Sequence, residues 1–398
     1  MQNKHSIIME KTPLGKLFFL RLENALLLGQ KGDSYEILSD FDDLEQDLKA
    51  WCVFKGEQFL EKKSFEHYTT YTLTKKSPNK FEFLNIQDEN FQNEILNLAP
   101  TQTGLAARGS QNELANPNYH FELVSKEEIW SQNLNQLYED SKKAQWNASK
   151  DIEWNEIGHY DKKMEFAIAQ IMTYLVENEL SALYIPAKFL AKISPYYTEV
   201  PLLLSSIIGD EARHIETFIK RAKATGLGLQ YSTLTTQQSL FTLFKEEDYF
   251  KSSFLLHIMG EGTFIDLLQF LEVHSEDEPT KKLFNLARKD EARHVVYGMN
   301  NVKTCIASNP KKIELLKDAV FKRKHYLDEL SGESTLLIES LALFAGKGSG
   351  ASQIRQGFEL VELLKQKMET NRTKRLVECG IDEDLAYDLS RAHTPNFM

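Results

Sequence analysis

The sequence predicts two domains: a small N-terminal α/β unit, then a mainly α-helical domain built on a four-helix bundle with added helices. Three observations carry this. Over residues 1–80, short apolar runs and helix-period segments follow one another in the order β-α-β-α-β-β. From about Ser125 the apolar spacing becomes helical and stays so. And the pentapeptide DEARH occurs twice, at 210–214 and at 290–294.

Bulk properties bound the function. The chain has 398 residues, 42% hydrophobic and 26% charged, with a formal net charge of -11. That balance gives no electrostatic footprint for nucleic acid or an anionic membrane. No run of 18 apolar residues occurs, so no transmembrane helix is expected. The N-terminus has no secretory apolar core. Cys52, Cys305 and Cys379 are widely spaced and suit neither a disulfide framework nor a CxxC site, which points to a reducing cytoplasm.

In the N-terminal unit, His5–Met9 is a short apolar run. Leu14, Leu17, Phe18, Leu22 and Leu26 then recur at helical spacing up to Gly29. Tyr35–Leu38 reads as a strand. Asp40, Asp42 and Asp43 mark a helix start, with Leu44, Leu48 and Trp51 on one face and Gly56 as its stop. Phe59–Glu61 and Tyr68–Thr74 read as a hairpin. This order, with "SDFDDLEQDLKAWCVFKG" after the second strand, resembles the TusA-like sulfur-carrier family. The resemblance implies that fold over about a fifth of the chain. The family's Cys-Pro-x-Pro motif falls on Thr12-Pro13-Leu14-Gly15, and a Thr hydroxyl cannot carry a persulfide. Cys52, beside Trp51 on an apolar face, reads as core. Residues 81–125 form a polar connector, with turn-forming residues in Leu98–Gly109 and Asn112–Tyr119.

The helical domain spans 126–330. Its first bundle helix is expected from about Asp161 to Tyr184, with Pro186 as a stop. Glu179 shares a face with Ile168, Met172, Leu175, Val176, Ala182 and Leu183; Glu177 lies on a wetter face. A carboxylate on an apolar stripe is costly unless paired or metal-bound, so Glu179 is the better ligand and Glu177 the fallback. After Pro201, Glu211 and His214 sit among Leu204, Ile207, Ile208, Ile215 and Phe218. Glu261 lies with Phe254, His257, Ile258, Phe264, Ile265 and Leu268, and Glu291 and His294 with Phe284, Ala287, Val295 and Gly298.

On a helix, residues three apart share a face. Two Glu-x-x-His helices plus one Glu from each of two others form the ligand set of a dimetal carboxylate site in a four-helix bundle. The expected metal ligands are Glu179, Glu211, His214, Glu261, Glu291 and His294. Carboxylates and neutral imidazoles suit iron or manganese, as two Fe ions, Mn/Fe or Mn, with positions open for dioxygen. Asp210 and Asp290 are expected to accept the outer N–H of a ligand histidine, with Arg213 and Arg293 neutralising them; the alternative is a surface ion pair. His257, one turn before Glu261, is an extra ligand, a donor to a ligand, or a satisfied core histidine.

Residues 160–330, with "GEGTF…RKDEARHVVYG", resemble the ferritin-like di-iron-carboxylate oxygenase superfamily, and matching the motifs implies the same six ligands. The resemblance implies a non-haem di-iron oxygenase or oxidase that activates O2 to oxidise a small organic substrate. Electrons would come from a reductase or ferredoxin, and a homodimer is left open. Metal storage with peroxide detoxification, or RNA hydroxylation, are the competing functions. The acidic balance counts against RNA and no membrane role is implied. Three positions depart from subfamily patterns: Phe218 replaces the radical tyrosine of reductase subunits, Ile265 the hydroxylases' threonine (Thr263 is near), and Ala287 an extra N-oxygenase histidine. Pocket residues are expected near Met172, Tyr184 and Phe264. In the C-terminal extension, 331–398, Lys322–Leu330 continues helically from before it. Ser334–Phe344 reads as a helix, GKGSG as a break, Gln353–Met368 and Asn371–Cys379 as amphipathic helices stopped by Gly380, and His393 as exposed.

Overall fold

A computed structural model describes residues 3–79, 95–101, 103–110, 117–330 and 335–393. They divide into two compact units, residues 1–95 with 100–120, and residues 96–99 with 121–398. Parts of the expected connector (81–94, 102 and 111–116), the start of the C-terminal extension (331–334) and the chain end (394–398) lie outside the described residues.

The N-terminal unit is a four-stranded sheet with two helices. Strands β1 (Lys4–Glu10), β2 (Ser34–Ser39), β3 (Gln58–Ser64) and β4 (Thr69–Thr74) lie in the order β1-β2-β4-β3. β1 and β2 are parallel, which requires a crossover, and α1 (Lys16–Leu26) supplies it. The β2–β4 and β4–β3 pairs are antiparallel. α1 buries Phe18, Leu22 and Leu26 at i, i+4 spacing; Leu17, expected on the same face, is exposed. α2 (Glu45–Lys55) buries Leu48, Trp51 and Cys52 and ends at Gly56, whose φ of 73° suits glycine. No aspartate caps α2. Instead the Leu44 N–H donates to the Tyr71 hydroxyl, which donates to the Phe41 carbonyl. Burial pushes the Cys52 thiol up to about 12.

The second unit is helical. A short α3 (Lys126–Ile129) and α4 (Leu134–Lys143) precede the bundle. α5 (Lys162–Leu190) is capped by Asp161, whose carboxylate accepts from the N–H groups of Lys163 and Met164. It does not stop at Pro186. Proline removes one N–H and crowds the preceding turn, yet Ile185, Pro186 and Phe189 are buried and that packing carries the helix to Leu190. α6 (Glu199–Lys223) takes Pro201 in its first turn, where the N–H would be unpaired anyway. α7 (Leu234–Phe244) follows. The third bundle helix is composite: α8 (Tyr249–Ser253), a π-helical stretch Phe254–Gly260, and α9 (Glu261–His274). α10 (Glu278–Ser308) is capped by Asp277.

By length and composition, Tyr249–His274 is apolar enough to cross a membrane, but 89% of that window is buried inside the bundle. Its apolar character serves the core on all sides.

α11 (Lys312–Leu330), α12 (Thr335–Gly346), α13 (Ala351–Glu378) and α14 (Glu383–His393) complete the chain. The GKGSG break separates α12 from α13. The two amphipathic segments expected after it are one helix, because nothing at 369–370 interrupts the period. His393 is buried at 3% exposure, because α14 packs against α13 and α11. Two glycines set the α12–α13 approach: a Cβ at Gly357 would sit 1.9 Å from the Ala342 carbonyl oxygen, and one at Gly346 2.1 Å from that of Gln353. Gly357→Ala therefore forces these helices apart. Chemical denaturation should show it about 1–3 kcal/mol less stable than the parent protein.

Candidate metal centre

The six expected ligands converge. Glu179 comes from α5, Glu211 and His214 from α6, Glu261 from the first turn of α9, and Glu291 and His294 from α10; none exceeds 2% exposure. His214 Nδ1 lies 3.6 Å from Glu179 Oε1, 3.3 Å from Glu211 Oε2 and 3.3 Å from Glu291 Oε1. His294 Nδ1 lies 3.0 Å from Glu211 Oε1, 3.5 Å from Glu291 Oε2 and 4.0 Å from Glu261 Oε1. Two groups able to hold a metal ion result: Glu179, Glu211, His214 and Glu291; and Glu211, Glu261, Glu291 and His294. Within each, the ligand atoms lie within 4.8 Å of one another. Glu211 and Glu291, the acids of the two DEARH copies, belong to both.

The donor set fits a pair of cations. Both oxygens of Glu211 and Glu291, one each of Glu179 and Glu261, and Nδ1 of both histidines are buried without a hydrogen-bond partner. Buried carboxylates in that condition need compensating positive charge. With protons as the only compensation, burial and the neighbouring Glu211 charge push Glu179 well above the usual carboxylate range, and burial raises Glu261.

The histidines are oriented from outside. His214 Nε2 lies 3.2 Å from Asp290 Oδ2, and His294 Nε2 3.3 Å from Asp210 Oδ2. Each motif's aspartate thus serves the other motif's histidine. An ionised carboxylate only accepts, so Nε2 carries a proton, and Nδ1 is the ring nitrogen turned toward the carboxylate cluster. Burial opposes the aspartates' charge, but hydrogen bonds from the histidines and the nearby arginines outweigh it and hold both below the usual range. Arg213 and Arg293 each donate to both aspartates, so the four side chains close into a ring. At 0% and 1% exposure, Asp210 and Asp290 are not partners in a surface ion pair.

Sequence reasoning missed the lid on this ring. Trp146 Nε1 donates to Asp290 Oδ2 at 2.7 Å, and the indole lies under the Arg213 guanidinium at 4.9 Å. Gln145 donates to Asp210 and accepts from Arg213. The only signal was one tryptophan in the polar stretch KKAQWNASK.

Other candidates fall elsewhere. Glu177 is half-buried beside Ser232 and Gln237, outside both groups. His257 Nδ1 lies 2.7 Å from Glu261 Oε2, so it touches a candidate ligand from the π-helical stretch without joining either group. A Cβ at Gly298 would come 2.5 Å from the His257 Cβ, so glycine there admits the imidazole. The ring of Tyr297 meets His257 edge-on, and its hydroxyl contacts that of Tyr249. Phe218 packs between His214 and Phe284. Thr263 bonds to the Met259 carbonyl and to Arg372. Met172 and Phe264 are buried, whereas Tyr184 is 57% exposed and lines no interior pocket, because it lies on the outer face of α5.

No family model matches the sequence, and no curated protein is similar to it. Solved structures are. A variant of an R2-like ligand-binding oxidase with an aerobically reconstituted Mn/Fe cofactor superposes with a TM-score of 0.50 at 15% identity, over 64% of this chain and 95% of that one. A second variant, with an aerobically reconstituted Fe/Fe cofactor, gives the same values. At that identity the likeness establishes the fold: the helical unit is a ferritin-like bundle.

Removing one member of the aspartate–arginine ring leaves buried charge uncompensated. Asp290→Asn should lower the stability of the metal-free protein by about 3–5 kcal/mol, read from urea unfolding at pH 7. Glu177→Gln should change it by less than about 0.5 kcal/mol.

Proposed function

We propose that this chain is an O2-dependent dimetal oxidoreductase of the oxidase or monooxygenase type. It would hold two iron ions, or manganese with iron, at Glu179, Glu211, His214, Glu261, Glu291 and His294. It would act on a small organic substrate with electrons from a reductase or ferredoxin, in a reducing cytoplasm. The observation that carries the reading is the inward cluster of buried carboxylate oxygens and imidazole Nδ1 atoms without hydrogen-bond partners. The Mn/Fe and Fe/Fe cofactors of the solved neighbours are consistent with it.

When bound, the metal pair supplies electrons and a Lewis-acidic site for dioxygen. The protein's own groups do the rest. Glu211 and Glu291 belong to both ligand groups and would serve both ions. Asp210 and Asp290 keep the protons on Nε2 of His294 and His214, so both Nδ1 atoms stay available. Arg213 and Arg293 balance these aspartates, and Trp146 shields the ring from water. His257 is placed to hold or return a proton at Glu261 Oε2. The apolar faces bearing Phe218, Phe254 and Phe284 keep the interior dry.

We read the N-terminal unit, with its β-α-β-α-β-β order, as a TusA-like domain without sulfur-carrier chemistry. Thr12 stands where the nucleophile would, and Cys52 is in the core. We read it as a binding or structural module.

Anaerobic loading with ferrous ion, followed by elemental analysis, should give two metals per chain. Glu291→Ala should hold at most one, since Glu291 serves both positions. Loaded protein should consume dioxygen on an oxygen electrode. Stoichiometry below one in the parent chain, or full loading with no oxygen uptake, would sink the reading.

A further inference from the structure

The C-terminal helix α13 runs antiparallel along α9, the helix whose first turn brings Glu261 to the metal centre. Lys367 Nζ donates to Gln269 Oε1 (2.6 Å), Asn371 Nδ2 to Asp266 Oδ1 (2.7 Å) and Arg372 Nε to the Thr263 hydroxyl (3.2 Å). Arg375 then lies over Gly262, with its Nη1 3.6 Å from Asp266 Oδ2. As the α13 number rises the α9 number falls, so the contacts close on the turn that carries Glu261. Gly262, Thr263, Asp266 and Arg372 are buried.

Two features make that turn depend on outside support. First, the α-helical pattern resumes there. The Glu261 N–H donates to the Leu256 carbonyl, five residues back. Where such a stretch ends decides where the next side chain points, because each residue of shift turns it by about 100° around the axis. Second, the residue after Glu261 is a buried glycine, a poor helix former with no side chain of its own to pack. A Cβ at Gly262 would lie 2.7 Å from Arg375 Nε and 3.1 Å from its Cζ, so the guanidinium fills the place of the missing side chain. Thr263 joins the two helices: its hydroxyl donates to the Met259 carbonyl in the π-helical stretch and accepts from Arg372.

We propose that α13 is a splint for the metal centre, in which Arg375 and Arg372 are positioning residues that hold the first turn of α9 in the phase at which Glu261 faces His294. The inference rests on the metal-binding reading given above. It gives the C-terminal extension a role at one metal position only. Glu261 belongs to the group of Glu211, Glu291 and His294, and not to that of Glu179 and His214.

The test is calorimetric titration of the chelator-treated full chain with manganous ion, beside thermal melting of the same metal-free samples. The parent chain should take up two ions. Arg375→Ala should weaken one binding event by roughly 10- to 100-fold, the cost of losing an outer support of a ligand, and leave the other nearly unchanged. Gly262→Ala, which displaces the guanidinium while favouring the helix, should do the same. In the double variant the new methyl meets no guanidinium, so the second change should add little to the first. Lys367→Ala, at the far end of the splint, should alter neither event. A general loss of structure would instead lower the melting temperature and weaken both events together. That result overturns the proposal, as do two unaltered events in Arg375→Ala and Gly262→Ala. A parent chain that takes up no second ion overturns the metal-binding reading, and the splint with it.

Discussion

Four carboxylates inside an apolar bundle are the constraint on which the rest of this protein depends. Each sits on a helix stripe that would otherwise be ordinary core, and water cannot solvate it there. The surroundings look like successive answers to that problem. The imidazoles bring Nδ1 inward, the aspartates hold a proton on the outer nitrogen, and the arginines balance the aspartates. Gln145 and Trp146 then cover the arginines. Each layer answers the one inside it, so each is tolerable only because the next one exists.

The two sides of the bundle are built differently. On the side of α6 and α10 the paired motifs make a closed, nearly twofold ring of ions. On the side of α5 and α9 single glutamates enter, and the backbone before Glu261 leaves the α-helical pattern for a π-helical stretch. Such stretches shift the following residue around the helix axis. Here the shift accompanies the contact of His257 with Glu261 and the glycine at 298 that admits it. The rigid side fixes the donors, while the irregular side retains polar groups that the centre's proton balance can use.

Much of the centre was legible because periodicity is a strong signal when a polar residue breaks it. Glu179 against Glu177 was decided by the face each shares, and the structure puts Glu179 inside and Glu177 beside Ser232. The aspartate contacts were also foreseeable as a type, but not as a pairing. Which aspartate meets which histidine depends on how α6 and α10 cross, and no local pattern encodes that. Trp146 was invisible for the same reason, since it comes from a loop whose partner is 144 residues away. Pro186 misled because local propensity was weighed without the packing around it. The burial of His393 went unseen because a residue near the chain end has no periodic neighbours to betray its environment.

The crosswise pairing has a consequence for the internal repeat. If each DEARH segment had supported its own histidine, the two halves could have operated as independent modules, each with a single-ion pocket. Instead Asp210 completes the pocket of His294, Asp290 completes that of His214, and Glu211 and Glu291 are held in common. Neither half is self-sufficient, and a change in one motif is felt in the other. The repeat therefore behaves as one indivisible structural unit, although the helices that carry its two identical pentapeptides differ in the residues around them.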